Sequence, residues 1–261
     1  MREALAGEGW VVRSAGRWNL ELHCADFGGE ALTIRSLKRR DLKKLLSFRD
    51  QLGPRSRDLF CPYPWGDESR LEEALREAID RSVGRIDASY LVLSRGQAVG
   101  HFFLWKAGGN PASKAMGVEV PELGLGIADR LHGRGLGSLC VRILQAVASA
   151  GRADAIELTT ALDNAAGWGA YLNAGFRHVG NIRNPLEVDV TAVDQGRVTA
   201  RKFRQERQMV YIIERARQRA VLRYLSSKRK HSEKLSVPPK GHASRRPGGD
   251  EPQSRAHRLR R

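Results

Sequence analysis

Residues 123–140 read LGLGIADRLHGRGLGSLC, from Leu123 to Cys140, and the order of residue types decides the fold. An apolar strand runs into a glycine cluster, and the glycines run into a helix whose Leu136, Leu139, Ile143, Leu144 and Val147 recur on one face. A helix that opens from such a turn leaves its first backbone N–H groups unpaired, and their partial positive charge suits an anion such as phosphate. Gly133, Gly135 and Gly137 stand at every second position, where they allow positive φ and close approach of a pyrophosphate. The cluster alone is equally compatible with an ordinary flexible strand-to-helix turn. A Walker loop is excluded, because no lysine occurs between Lys114 and Lys202. A dinucleotide fingerprint is disfavoured, because both GRGLGS and GLGIAD lack the third glycine.

Outward from this centre the chain alternates strands and helices. ALTIRSL reads as a strand, followed by two amphipathic helices, RRDLKKLLSFRD and ESRLEEALREAIDRSV, the second capped by Asp67. SYLVLS and AVGHFFLWK form a hairpin that turns at Gly96. After PELGLGIA and its helix, which Gly151 is expected to cap, come the strand AIELTTAL, a short helix WGAYLNA ended by Gly175, and the strand FRHVG. A charged connector from Asn181 to Glu206 leads to a last strand, MVYII. The pattern predicts a mixed α/β fold, an α+β mixed sheet with helices on both faces. Upstream, Trp18, Leu20 and Leu22 alternate in WNLELH and suggest one extra strand within residues 1–30.

The glycine loop resembles the signature of the GNAT superfamily of acetyl-CoA-dependent N-acetyltransferases: Arg or Gln, two residues, Gly, one residue, then Gly or Ala. His132-Gly133-Arg134-Gly135-Leu136-Gly137 matches it except at the first position. Asn164, Tyr171, Gly175 and Phe176 follow at the family's downstream spacing. The similarity is good over about residues 89–180 and extends to a GNAT-like domain over 31–214. The resemblance implies a central sheet partly splayed between the strand ending at Ile127 and AIELTTAL. The pantetheine arm of acetyl-CoA would pair with the backbone at Leu125, Gly126 and Ile127. Its pyrophosphate would lie on the amides from Gly133 through Arg134, Gly135, Leu136 and Gly137 to Ser138, with His132 at the first signature position, and Asn164 would contact the arm. An exposed strand edge offers unpaired amides to such a ligand on physical grounds alone. Gly167 and Gly169 depart from the family's helix, at roughly 1 kcal/mol each.

The resemblance further implies direct attack of an amine on the thioester, with Tyr171 as the acid and Glu122 as the general base, Glu119 or a water being the fallback. The backbone near Ile127 and Ala128 would supply the oxyanion donor. A lysine near pKa ~10.4 costs roughly 4 to 5 kcal/mol to deprotonate at pH 7, and an α-amino group near 7.7 to 8.0 only about 1. These costs do not select the acceptor, which stays open between a protein N-terminus, a lysine and a small amine. Phe60, Tyr63 and Trp65, in DLFCPYPWGDE, are candidates for an acceptor pocket or for packing. His101, His132 and His178 are scattered over strand and loop positions and read as structural or solvent-facing, with no metal site expected.

The chain has 261 residues, 41% hydrophobic and 28% charged, enough apolar material for a core and too much for a disordered chain. No apolar run is long enough for a membrane span or a signal peptide, and Cys24, Cys61 and Cys140 fit neither a disulfide framework nor a zinc pair. A cytoplasmic protein with reduced thiols is expected. The net charge of +16 is concentrated at one end: residues 215–261 carry 15 of the 45 Lys and Arg but three of the 29 acids. That segment reads as a basic helix followed, after about residue 228, by a disordered tail that would attract nucleic acid or ribosomes by counterion release. A competing reading follows, in which a catalytically silent GNAT-like domain belongs to an RNA- or ribosome-associated binding protein.

Overall fold

The computed structural model of the chain describes residues 9–189 and 199–234. Nine strands form one sheet: β1 (Trp10–Gly16), β2 (Asn19–Cys24), β3 (Leu32–Ser36), β4 (Ala88–Ser94), β5 (Gln97–Trp105), β6 (Glu122–Ile127), β7 (Ala155–Ala161), β8 (Arg177–Asp189) and β9 (Thr199–Ile212). Among the described residues seven α-helices accompany them: α1 (Leu42–Phe48), α2 (Pro54–Leu59), α3 (Glu68–Val83), α4 (Pro111–Lys114), α5 (Leu136–Ala150), α6 (Ala165–Asn173) and α7 (Gln218–Glu233). The strand order is β1-β2-β3-β4-β5-β6-β7-β9-β8. Neighbours from β1 to β6, and β7 with β9, pair antiparallel; β6 with β7 is parallel. No described helix is long and apolar enough to cross a membrane.

Local chemistry accounts for most of these elements. Gly96 turns the β4–β5 hairpin at φ +80°, beside Arg95 at +49°, and the Asp67 side chain accepts from the Arg70 amide to start α3. The α5 stripe of Leu136, Leu139, Ile143, Leu144 and Val147 is buried against Ile34, Tyr90, Phe102 and Ile156 on one sheet face. Leu45 and Phe48 of α1 and Leu71, Leu75 and Ile79 of α3 cover Leu91 and Phe103 on the other. Each such side chain contributes about 1.5 to 3 kcal/mol by leaving water.

Several expectations are corrected. The N-terminal segment supplies two strands rather than one: β2 buries Leu20, Leu22 and Cys24, while β1 is an edge strand with Val11 exposed, so its apolar alternation is weak. Gly151 does cap α5, its N–H donating to the Val147 carbonyl at 3.0 Å, but the left-handed conformation falls one residue later, on Arg152 (φ +59°), while Gly151 has φ −82°. The connector from Asn181 to Glu206 is largely strand, since β8 runs to Asp189 and β9 starts at Thr199. Residues 229–233, expected to be disordered, belong to α7, because its inner face packs Val221, Tyr224 and Leu225 on Val118, Val120, Ala155 and Val210. The rest of the expected tail lies outside the described residues.

Candidate active site

The parallel ladder between β6 and β7 holds one residue pair, Glu122 opposite Glu157, with the Glu157 amide donating to the Pro121 carbonyl at 3.1 Å. Beyond that rung the strands part. The Ala128 amide donates to the Val99 carbonyl at 2.8 Å, and in an antiparallel ladder bonding directions alternate along the strand. The N–H groups of Gly126 and Ala128 therefore point to β5, and those of Leu125 and Ile127 point to the opened gap. Of the two oxyanion donors expected near this point, the Ala128 amide is already engaged, which leaves Ile127. Gly124 and Gly126 are required sterically. A Cβ on either would fall 2.2 Å from the Phe103 ring or 2.4 Å from the Phe60 ring.

Beside the gap, Gly133 and Gly135 have φ +73° and +83°, and a Cβ on either would meet nothing within 4 Å. The backbone at these two positions is uncovered on the side a Cβ would take. Intrahelical bonding in α5 starts with the Leu139 amide donating to Gly135 at 3.0 Å, which leaves the Leu136, Gly137 and Ser138 amides unpaired within the helix. The first turn holds no acid, and no side chain caps it. Backbone dipoles therefore make a site for a phosphate-bearing ligand. The side chains of the loop are engaged elsewhere: His132 Nε2 bonds the Ile127 carbonyl at 2.9 Å, Arg134 donates to the Gly28 carbonyl at 3.2 Å, and Leu136 is fully buried.

On the β7 side, Asn164 caps α6. Its Oδ1 accepts from Gly167 N–H at 3.0 Å and its Nδ2 donates to Thr160 Oγ1 at 2.9 Å. Tyr171, on the same helix, packs edge-on against Phe176. Among the described residues its hydroxyl has no hydrogen-bond partner, and burial pushes its pKa up to about 12.

A charged network lies where β6 and β7 separate. Lys228 Nζ of α7 lies 3.2 Å from Glu122 Oε2 and 3.1 Å from Glu157 Oε1. Glu157 is buried, and it also accepts from the Tyr224 hydroxyl at 3.0 Å and from Gln208 Nε2 at 3.2 Å. Burial pushes the Glu157 carboxyl up, and Lys228 opposes that shift. Glu119 is held apart by Lys114 at 3.2 Å. The segment around α2 bridges the far ends of the parted strands: Gly53 N–H donates to Asp129 Oδ2 at 3.1 Å, and Arg55 pairs with Asp163 at 2.6 Å.

Phe60, Tyr63 and Trp65 are core residues. Tyr63 bonds His101 Nε2 at 2.9 Å, while His101 Nδ1 bonds the Tyr90 carbonyl at 3.2 Å. Burial lowers the His101 pKa to about 4, so the ring is neutral. Cys24 and Cys140 are buried and Cys61 is exposed, all three free. No group of three potential metal ligands occurs among the described residues. Sequence reading missed Glu157, Tyr224 and Lys228. A lone Glu in the alternating strand Ile156–Thr160 looks solvent-facing, and a lysine in a basic helix looks like one charge among many.

The family model for the acetyltransferase (GNAT) domain matches residues 31–177. No curated protein matches the chain by sequence. Among solved structures, a GNAT-family acetyltransferase from Streptococcus pneumoniae aligns with a TM-score of 0.51 and 18% identity, covering 70% of this chain and 99% of that one. Mycobacterium smegmatis RimJ, in complex with CoA-disulfide, gives a TM-score of 0.52 at 14% identity over 77% and 90%. Ribosomal-protein-S5-alanine acetyltransferase from Vibrio fischeri gives 0.53 at 10% over 69% and 92%.

Proposed function

The chain belongs to the GNAT family of acetyltransferases, and from that premise we propose that it transfers the acetyl group of acetyl-CoA to a primary amine in the cytoplasm, by direct attack in a ternary complex. The observation that carries the reading is the one-rung β6–β7 ladder beside an open glycine loop at a helix N-terminus. The parted edge at Leu125 and Ile127 suits an extended amide-bearing arm, and the amides from Gly133 to Ser138 suit its pyrophosphate. Acetyl-CoA fits these groups because the donors are backbone and no side chain fills the loop. When bound it supplies an activated acyl thioester.

The chain's own groups would then do the following. The Ile127 amide polarises the reacting carbonyl. Tyr171 keeps its proton through neutral pH and so can donate it to the departing sulfur. Glu122 takes the acceptor's proton, and Oε1 is available for that, since Lys228 engages Oε2. Asn164 fixes the start of α6 and thereby the helix that carries Tyr171. An α-amino group asks least of this base, about 1 kcal/mol at pH 7 against roughly 4 to 5 for a lysine.

Calorimetric titration of the full chain with acetyl-CoA, beside the Gly135→Glu variant, tests the reading. Micromolar binding by the parent that vanishes in the variant supports it, and absence of binding by the folded parent overturns it.

A second observation favours an accessory role for the basic end. Arg215, Arg219, Arg223, Lys230 and Lys234 are all exposed and recur at helical spacing. That face would bring the enzyme to RNA or ribosomes through phosphate contacts. If the core bound no acetyl-CoA, the same face would be the basis of the alternative reading, a silent domain in an RNA-associated binding protein.

A further inference from the structure

Lys228 is delivered to the site by a packed helix, not by a loose tail. Val221 and Leu225 of α7 are fully buried and Tyr224 nearly so. Arg229 donates to Gln208 Oε1 at 2.7 Å, and Ser232 Oγ lies 3.3 Å from the Arg183 amide. This anchoring fixes the reach of the Lys228 side chain. Its Nζ sits between the two carboxylates of the single β6–β7 rung, at 3.2 Å from Glu122 and 3.1 Å from Glu157. Glu157 is engaged on both oxygens, by Tyr224, Lys228 and Gln208. Glu122 is not: among the described residues Oε1 has no partner.

We propose that Lys228 is a positioning residue for acetyl transfer, which grips Glu122 through Oε2 and leaves Oε1 as the oxygen that receives the acceptor's proton. The proposal rests on the reading of Glu122 as the base. The charged groups at Glu122 are Lys228 of α7, in contact with it, and Glu157 of β7, opposite it across the rung, while Tyr224 and Gln208, with Arg229 behind it, contact Glu157. Lys228 is the cation in contact with it, so removing that charge leaves Glu122 beside a second carboxylate and disfavours its ionised form. Burial alone would lower the Lys228 pKa, but Glu122 and Glu157 outweigh it and hold the ammonium above the ordinary lysine range. Such an ammonium is a poor nucleophile, which makes Lys228 a clamp and not an acceptor.

The test is the pH dependence of kcat/KM for amine acetylation by the full chain. Lys228→Met is expected to move the acid limb up by about one pH unit and so to lower activity about tenfold at pH values below the limb. Lys228→Arg is expected to restore the limb, since it returns the charge. Because Lys228→Met leaves Glu157 uncompensated in the interior, the same change is also made in a Glu157→Gln background, where no buried acid is left unpaired, and the double variant is read against Glu157→Gln alone. An acid limb at the same pH in the double variant as in Glu157→Gln overturns the proposal, as does mass-spectrometric detection of acetyl groups on Lys228 after incubation with acetyl-CoA. Glu122→Gln separates the two readings. Full activity in that variant sinks the assignment of the base itself. Lost activity in Glu122→Gln with an unmoved limb in the Lys228 variants sinks the clamp alone.

Discussion

Gly167 and Gly169 are two glycines of one short helix with opposite roles. A Cβ on Gly169 would meet nothing within 4 Å, whereas one on Gly167 would fall 2.4 Å from Asn164 Nδ2 and 2.9 Å from its Cγ. Gly169→Ala should therefore stabilise the fold by about 0.5 to 1 kcal/mol through reduced chain entropy. Gly167→Ala should gain the same propensity but displace the cap, worth about 0.5 to 2 kcal/mol, and come out destabilising. Urea midpoints for the two variants should move in opposite directions, and movement in the same direction would refute the assignment of the cap. The helical breakers were legible in the sequence, but the reason for one of them was not, because the cap that needs the space is a tertiary arrangement around Thr160. His101 offers a second test at this scale. The unfolded chain takes up a proton near pH ~6.5, whereas the folded protein resists protonation until about 4. Stability is thus fully present above pH ~6.5 and falls with decreasing pH by up to ~1.4 kcal/mol per unit, levelling at about 3 kcal/mol. His101→Gln should flatten that segment of the stability profile relative to the parent; parallel profiles would mean that the buried ring is already charged.

At the scale of elements, the strand, glycine loop and helix from Glu122 to Ala150 could be read from sequence because each has a local cause: apolar alternation, left-handed glycines and a stripe of period 3.6. The glycines within β6 could not be explained in that way. Phe60 and Phe103, which forbid a Cβ at Gly126 and Gly124, arrive from the segment after α2 and from β5. Edge strand β1 escaped notice for a similar reason, since one buried Trp10 beside an exposed Val11 carries no period. The loop prediction belongs to this scale. Gly135→Glu combines a non-glycine residue at φ +83° with a carboxylate at a helix N-terminus where an anion is to bind. Acetyl-CoA affinity should fall at least about 100-fold by calorimetry, a loss of some 2.7 kcal/mol, whereas Gly135→Ala should lose far less. Equal losses would mean that backbone strain, and not charge, governs the loop. Tyr171→Phe, which leaves the packing on Phe176 in place, should lower kcat by about 10- to 100-fold with little change in KM for acetyl-CoA. A kcat unchanged under saturating substrates would remove Tyr171 from the chemistry.

For the whole molecule, the decisive difference between charge pattern and structure is where the segment that begins at Arg215 belongs. Composition suggests a boundary near Arg215, because the chain beyond it is a polycation. The structure puts Val221, Tyr224 and Leu225 into a core shared with Val118, Val120, Ala155 and Val210, and sets Lys228 against two carboxylates at the parting of β6 and β7. Charge count could not reveal this, since a basic helix with one apolar stripe looks the same whether the stripe is docked or free. Two truncations separate the accounts. Removing residues 215–261 deletes three buried side chains worth about 5 to 9 kcal/mol together, comparable to the ~5 to 15 kcal/mol that holds a whole domain, and also strips Glu157 of its counter-charge. That fragment should melt far below the parent or fail to fold. Ending the chain at Lys234 keeps the whole of α7 with its packing, and also the exposed Arg215, Arg219, Arg223, Lys230 and Lys234. It should match the parent in thermal midpoint and in acetyl-CoA affinity. RNA binding divides along the same line. If the outer face of α7 holds phosphates, the chain ending at Lys234 should still bind single-stranded RNA. Its log–log salt slope should be shallower by about 0.7 for each phosphate that the seven basic residues beyond that point neutralise in the parent. Complete abolition of RNA binding by that cut would assign the polyanion site to the last 27 residues and leave α7 with one task, that of holding Lys228 at the site.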